Sequence, residues 1–115
     1  MTVGDRLRAT AGSRLRGYRA RKLADRDLDD FETEQRSLVR ACEEAEQALE
    51  FAGPHEVDAR RAAYLELVVL GRERLDAACD DRAAELGPDA QLYRDAFHRG
   101  VLRRLSRFAP EIDQP

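Results

Sequence analysis

Apolar side chains recur along this chain at alternating steps of three and four residues, which is the period of one face of an α-helix. The pattern is clearest at eight positions, namely Leu28, Phe31, Gln35, Leu38, Cys42, Ala45, Leu49 and Ala52. It predicts an amphipathic helix over about residues 25–52, with a heptad seam like that of a coiled coil. Gln35 is the polar exception. It is either a tolerated position at the edge of the seam or a residue that sets the register of a helix interface.

Two Gly-Pro pairs, Gly53-Pro54 and Gly87-Pro88, each follow a stretch with helical period. Glycine is favoured just past the end of a helix and proline at the first position of the next, so each pair predicts a junction between helices. We therefore expect an all-α protein, an antiparallel helical bundle of three long helices. Their predicted ranges are about 25–52, 54–86 and 88–108.

The second predicted helix is apolar on nearly every side in its middle, at Leu65, Leu67, Val69 and Leu70. A helix with this pattern is usually buried all round. At 1.5 Å per residue it is about 50 Å long and the third helix about 31 Å, so the third covers it only back to about residue 66. We expect the uncovered end to be an oligomer interface of a homodimer. The predicted interface residues are Leu49, Phe51, Val57 and Tyr64.

Charge is distributed unevenly along the chain, although the net charge is only −3. Residues 1–22 have a net charge of +6 and residues 23–50 a net charge of −7. The seven basic side chains of the first segment are Arg6, Arg8, Arg14, Arg16, Arg19, Arg21 and Lys22. We therefore divide the chain into a basic N-terminal segment (1–22), a helical bundle (23–109) and a C-terminal tail (110–115).

Three interpretations of the basic segment remain open. The helical spacing of Leu7, Leu15 and Tyr18 favours a fourth helix that packs on the bundle. Alternatively, the segment is mobile and pairs its arginines with the acidic residues 25–34 of its own or a neighbouring subunit. In the third interpretation it binds a polyanion such as nucleic acid, since six net positive charges can neutralise several phosphates. A membrane is an unfavourable partner, because few large apolar side chains oppose the basic face.

No set of residues in the sequence indicates catalysis. There is no glycine-rich phosphate loop, and His55 and His98 are the only histidines. Asp95 and His98 are weak metal candidates, because a carboxylate three residues before a histidine lies on the same helix face. A surface ion pair or hydrogen bond is their alternative role. We predict no cofactor, and two thiols without a secretory signal pattern favour a cytoplasmic location.

These patterns predict a non-catalytic helical module that self-associates and binds a macromolecular partner, as an assembly or regulatory subunit. No motif of a known family identifies that partner. One alternative is a nucleic-acid-binding accessory protein that uses the arginine-rich N-terminal segment. A second alternative is a carboxylate/His metal-binding bundle built on Asp95 and His98.

Overall fold

The computed structural model of the protein describes the backbone of residues 3–109 and the side chains of residues 11–109. This part of the chain is helical without strands, and its helices pack against one another, which confirms the predicted all-α class. It has four α-helices, whereas three long helices were expected. The predicted tail, residues 110–115, lies outside the described residues. The α-helices are α1 (Val3–Glu34), α2 (Arg36–Glu50), α3 (Val57–Ala84) and α4 (Ala90–Arg104), with 3-10 turns at Gly87–Asp89 and Ser106–Phe108.

The first helix begins at Val3 instead of near residue 25, so the basic segment and the acidic stretch after it belong to one helix. Gly12 and Gly17 lie within this helix. Each glycine costs at most about 1 kcal/mol relative to alanine, which a helix of this length tolerates. The prediction that a separate segment precedes the first helix therefore differs from the structure.

Only Gln35 separates α1 from α2, and its backbone still makes helical hydrogen bonds. The Gln35 N–H donates to the Phe31 carbonyl oxygen at 2.8 Å, and the Val39 N–H donates to the Gln35 carbonyl oxygen at 3.0 Å. The two helices thus form an almost continuous rod. The longest dimension of the protein is 71 Å, close to the length of about 72 Å expected for one helix over residues 3–50.

The third helix lies along this rod, and three side-chain hydrogen bonds mark how the two are aligned. These bonds join Tyr64 to Glu46, Arg74 to Gln35, and Arg82 to Asp27. Later residues of α3 bond to earlier residues of the rod, so α3 runs antiparallel to α1 and α2. The loop between α2 and α3 contains the predicted Gly53-Pro54 junction.

The fourth helix runs beside α1 and in the same direction. Arg16 contacts Asp89 just before α4 begins, and Arg104 at its end contacts Glu32. The tight turn into α4 depends on Gly87, whose φ of 53° lies in the left-handed region that favours glycine.

The buried core lies mainly where α1, α3 and α4 meet. Among the seam positions, Leu28, Phe31, Leu38 and Cys42 are buried, whereas Gln35 and the last three are only half-buried. Burial decreases toward residue 52 because α4 does not extend to that end of the rod. The largest side chains with almost no exposure are Tyr93, Phe97, Phe108, Leu28, Cys42 and Cys79.

Two glycines allow close approach to the core. A Cβ atom on Gly71 would lie 2.2 Å from Phe108 Cε1, and one on Gly100 would lie 2.3 Å from Leu28 Cδ1. Phe108 therefore packs directly on the backbone of α3. Arg72 holds that segment in place, since its Nε donates to the Phe108 carbonyl oxygen at 3.3 Å.

We predict that Gly71→Ala lowers the free energy of unfolding by about 1–2 kcal/mol, because overpacking against Phe108 outweighs the better helix propensity of alanine. Gly17→Ala is the matched control. An added Cβ there meets nothing within 4 Å, so the change should raise stability by up to about 1 kcal/mol. Urea denaturation followed by circular dichroism measures both, and an equal effect at the two sites would contradict the packing of Phe108.

Candidate interaction surfaces

Asp27 of α1 is hydrogen-bonded to both α3 and α4, so it fixes how the three helices are aligned. Its carboxylate accepts hydrogen bonds from the Tyr93 hydroxyl at 2.7 Å, from Arg82 Nε at 2.9 Å and from Arg82 Nη2 at 3.1 Å. The Asp27 side chain is only 12% exposed. Burial, together with the hydrogen bond to Asp27, raises the pKa of Tyr93, so the phenol stays protonated and donates at neutral pH.

The hairpin of α2 and α3 extends beyond Ala109, the last residue that the structure describes. Phe108 reaches α3 at Gly71, and α3 continues about 21 Å farther, to Val57. On this extension Leu65 and Val69 are each 46% exposed, and Phe51 in the loop is 79% exposed. The expectation that the middle of this helix is buried on every side is therefore wrong for the single chain. We call Phe51, Leu65 and Val69 the hairpin strip.

The four residues predicted to form the oligomer interface lie at the same end of the hairpin. Phe51 is exposed, and the other three are half-buried; these are Leu49, Val57 and Tyr64. The sequence did not single out Leu65 and Val69 as exposed. Their exposure depends on where α4 and the 3-10 turn after it end, which an all-round apolar pattern does not reveal.

The first half of α1 extends beyond the opposite end of the bundle. Arg16 contacts Asp89 at the turn before α4, and the side chains of residues 11–16 are all exposed. Leu15 and Tyr18 are also exposed. They are not core residues, so the interpretation of this segment as a fourth helix folded onto the bundle is wrong for them. The side chain of Leu7 lies outside the described residues.

The predicted polyanion-binding side chains are distributed over several faces of this helix. Arg14 and Arg21 lie toward α4, where they line a groove with Arg99. Arg19 and Lys22 are exposed on another face, three residues apart. The side chains of Arg6 and Arg8 lie outside the described residues. We call residues 3–22 the basic half of α1.

An acidic cleft of about 290 Å³ lies between α1 and α3. Its walls are mostly charged, whereas small-molecule sites are mostly apolar, so it suits polar side chains of a partner better than a cofactor. Arg82 is the basic residue in its wall and already bonds to two of the acids. The carboxylates that line the cleft are those of Asp27, Asp30, Glu34, Asp81 and Glu85.

Three of these carboxylates, those of Asp30, Glu34 and Asp81, form no ion pair with any side chain that the structure describes. On the side of α1 that faces α4, by contrast, the acids pair with arginines of α4. Arg104 contacts Glu32 there at 3.1 Å. The negative charge of the cleft is therefore open to a partner.

Asp95 and His98, the weak metal candidates, lie on the surface of α4. Asp95 Oδ1 accepts a hydrogen bond from Gln91 Nε2 at 2.8 Å. The exposed His98 ring lies edge-on to Phe97, with centroids 6.4 Å apart. Within residues 3–109, no three His, Cys, Asp or Glu side chains are grouped so that they could hold a metal ion. His55 is also exposed.

Comparison of the chain with family models, with curated proteins and with solved structures gives no match. In the part of the chain that the structure describes, no helix has both the length and the apolar character needed to cross a membrane. We therefore infer function from three surfaces, which are the hairpin strip, the basic half of α1 and the acidic cleft.

We predict that Asp27→Ala lowers the free energy of unfolding by about 2–3 kcal/mol, because it leaves the Tyr93 hydroxyl and the Arg82 guanidinium without their shared acceptor. Asp30→Ala removes an exposed acid one turn later, and surface changes of that kind stay within about 0.5 kcal/mol. Thermal and urea unfolding of both variants measure the difference. Similar losses for the two would contradict a special role of Asp27.

Proposed function

We propose that this protein is a non-catalytic helical module that self-associates and serves as an assembly or regulatory subunit for a macromolecular partner. The hairpin strip is the observation that supports the proposal most directly. Phe51, Leu65 and Val69 expose apolar surface on an extension that no other helix of the described chain covers. Exposed apolar surface of this kind is typical of protein interfaces.

The second copy of this chain is the occupant that the hairpin favours. A two-helix hairpin buries each helix on one side only, whereas two hairpins related by a two-fold axis form a four-helix bundle. Such a bundle would cover more of the middle of α3, which is apolar on nearly every side. Leu49, Val57 and Tyr64 would then border the contact of a homodimer, and closed two-fold dimers are the commonest assemblies.

The two cysteines support a reducing location, and we place the protein in the cytoplasm. Cys42 and Cys79 are both buried and unbonded. Their levels along the hairpin differ by about 18 Å, too far for a disulfide. Burial raises the pKa of both thiols, that of Cys79 to about 11, so both stay protonated and unreactive at neutral pH.

Nucleic-acid binding is the second candidate function, because the first half of α1 extends beyond the bundle. Arg14, Arg19 and Arg21 are exposed along this helix, where phosphates can reach them. Such binding would weaken steeply as salt is added, since each neutralised phosphate releases counterions.

We predict that Val69→Glu and Phe51→Glu each convert the dimer to a monomer, because a charge buried in an apolar contact is costly. Helical circular dichroism should be retained, since both sites are exposed in the single chain. Leu102→Glu is the control, because Leu102 is 56% exposed on α4, away from the hairpin strip. Sedimentation equilibrium at high micromolar concentration in 0.5 M NaCl, which screens contacts between exposed charges, measures the mass. A wild-type protein that is monomeric there would contradict the proposed dimer.

A further inference from the structure

We propose that α1 recognises a second copy of itself, with the basic half of each α1 lying along the acidic cleft of the other copy. The proposal rests on the self-association proposed above, but it uses different surfaces. The two copies of α1 would run in opposite directions about a two-fold axis. Each copy would contribute one basic helix and one cleft, so the two contacts are identical.

The charges of α1 are separated along a single helix. Residues 3–22 have a net charge of +6, and residues 23–34 have a net charge of −5. Most of the basic half cannot pair with the acidic half of its own chain, because only side chains three or four residues apart meet on one helix. Arg19, for example, is about 16 Å along the axis from Asp30. The sequence left two sets of partners for these arginines, the acidic residues 25–34 of the same chain and those of a neighbouring subunit. For arginines such as Arg19, the neighbouring subunit remains.

The part of the basic half that extends beyond the bundle is little packed within the described chain. Residues 11–16 are exposed on every side, and Gly12 and Gly17 weaken their helix. Short helices without tertiary contacts are marginal in water. A second copy that covers Leu15, which is 48% exposed, would supply the missing contact.

The side chains that would meet lie on one side of α1. Arg19 and Asp30 are about three turns apart, so they point in nearly the same direction, and Lys22 and Glu34 flank that direction by about 60° each. In an antiparallel pair, residue numbers that rise along one copy fall along the other. Arg19 of one copy therefore lies level with Glu34 of the other when Lys22 lies level with Asp30, and the two-fold axis passes near residue 26. This alignment brings the Arg19–Lys22 pair of each copy to the Asp30–Glu34 pair of the other.

Asp30 and Glu34 are free to accept this contact, since neither pairs with a described side chain, and Asp81 adds a third free carboxylate across the cleft. Each exposed ion pair contributes little by itself. The contact contains several such pairs, duplicated by symmetry. Because these charges are accessible to solvent, added salt will screen them. This behaviour distinguishes the α1 contact from the apolar hairpin strip.

A charge exchange between two full-length variants tests the proposal. The head variant carries Arg19→Glu and Lys22→Glu, and the cleft variant carries Asp30→Arg and Glu34→Arg. In each variant alone, like charges would oppose each other in both contacts. In a mixture, residues 19 and 22 of the head variant, now acidic, meet residues 30 and 34 of the cleft variant, now basic. In the second contact, the unaltered Arg19 and Lys22 of the cleft variant meet the unaltered Asp30 and Glu34 of the head variant. A control variant with Arg14→Glu and Arg21→Glu has the same charge change as the head variant on a different face.

The measurement is sedimentation velocity of the fluorescently labelled head variant at low salt. We expect unlabelled cleft variant to bind it at least tenfold more tightly than unlabelled head variant does, and 0.5 M NaCl to abolish the difference. If the hairpin strip were the only contact, the labelled head variant would bind both unlabelled variants equally. The measurement therefore tests the α1 contact separately from the hairpin contact. The control variant should self-associate like the wild type.

Equal binding of the labelled head variant to both unlabelled variants would overturn the proposal. So would a control variant that loses self-association as strongly as the head variant, because total charge would then decide the result. A short DNA duplex is added as a further arm. If the head and control variants both lose binding to the duplex while self-association is unchanged in each, the basic half serves nucleic acid instead.

Discussion

The hydrogen bonds to the Asp27 carboxylate hold three helices at one level. A partly buried carboxylate needs several donors, and here Arg82 of α3 and Tyr93 of α4 supply them. A shift of α3 or α4 along the rod would separate these donors from Asp27, so the bonds fix the lengthwise position of both helices. Ion pairs such as Arg103–Asp25 agree with this alignment, but they are largely exposed and contribute less.

The alignment at Asp27 determines which parts of the rod stay uncovered. α4 is much shorter than the rod, so it covers the middle and leaves both ends open. The two open ends differ in chemistry. One end is the α2–α3 hairpin with its exposed apolar side chains, and the other is the basic half of α1. The self-association proposed above rests on these two ends, which no other helix of the described chain covers.

The sequence predicts the helical class and the positions of the helix junctions well, because apolar period and Gly-Pro pairs are local signals. It does not predict the start of α1, since Gly12 and Gly17 resemble a break, although a long helix tolerates them. Asp27 could not be recognised among the neighbouring acids of residues 25–34. Its role depends on Arg82 and Tyr93, which are distant in the sequence. Likewise, the exposure of Leu65 depends on where another segment ends.

If α1 is one helix, Arg19 and Lys22 cannot reach Asp30 and Glu34 of the same chain. A distance between spin labels at Ser13→Cys and Thr33→Cys, both exposed sites, tests most directly whether α1 is one helix. The native thiols remain unlabelled at neutral pH because they are buried with raised pKa values. Dilution with unlabelled protein removes distances between copies. The account predicts a single distance of about 30 Å, whereas a dominant distance under about 20 Å would show a folded-back segment and contradict it.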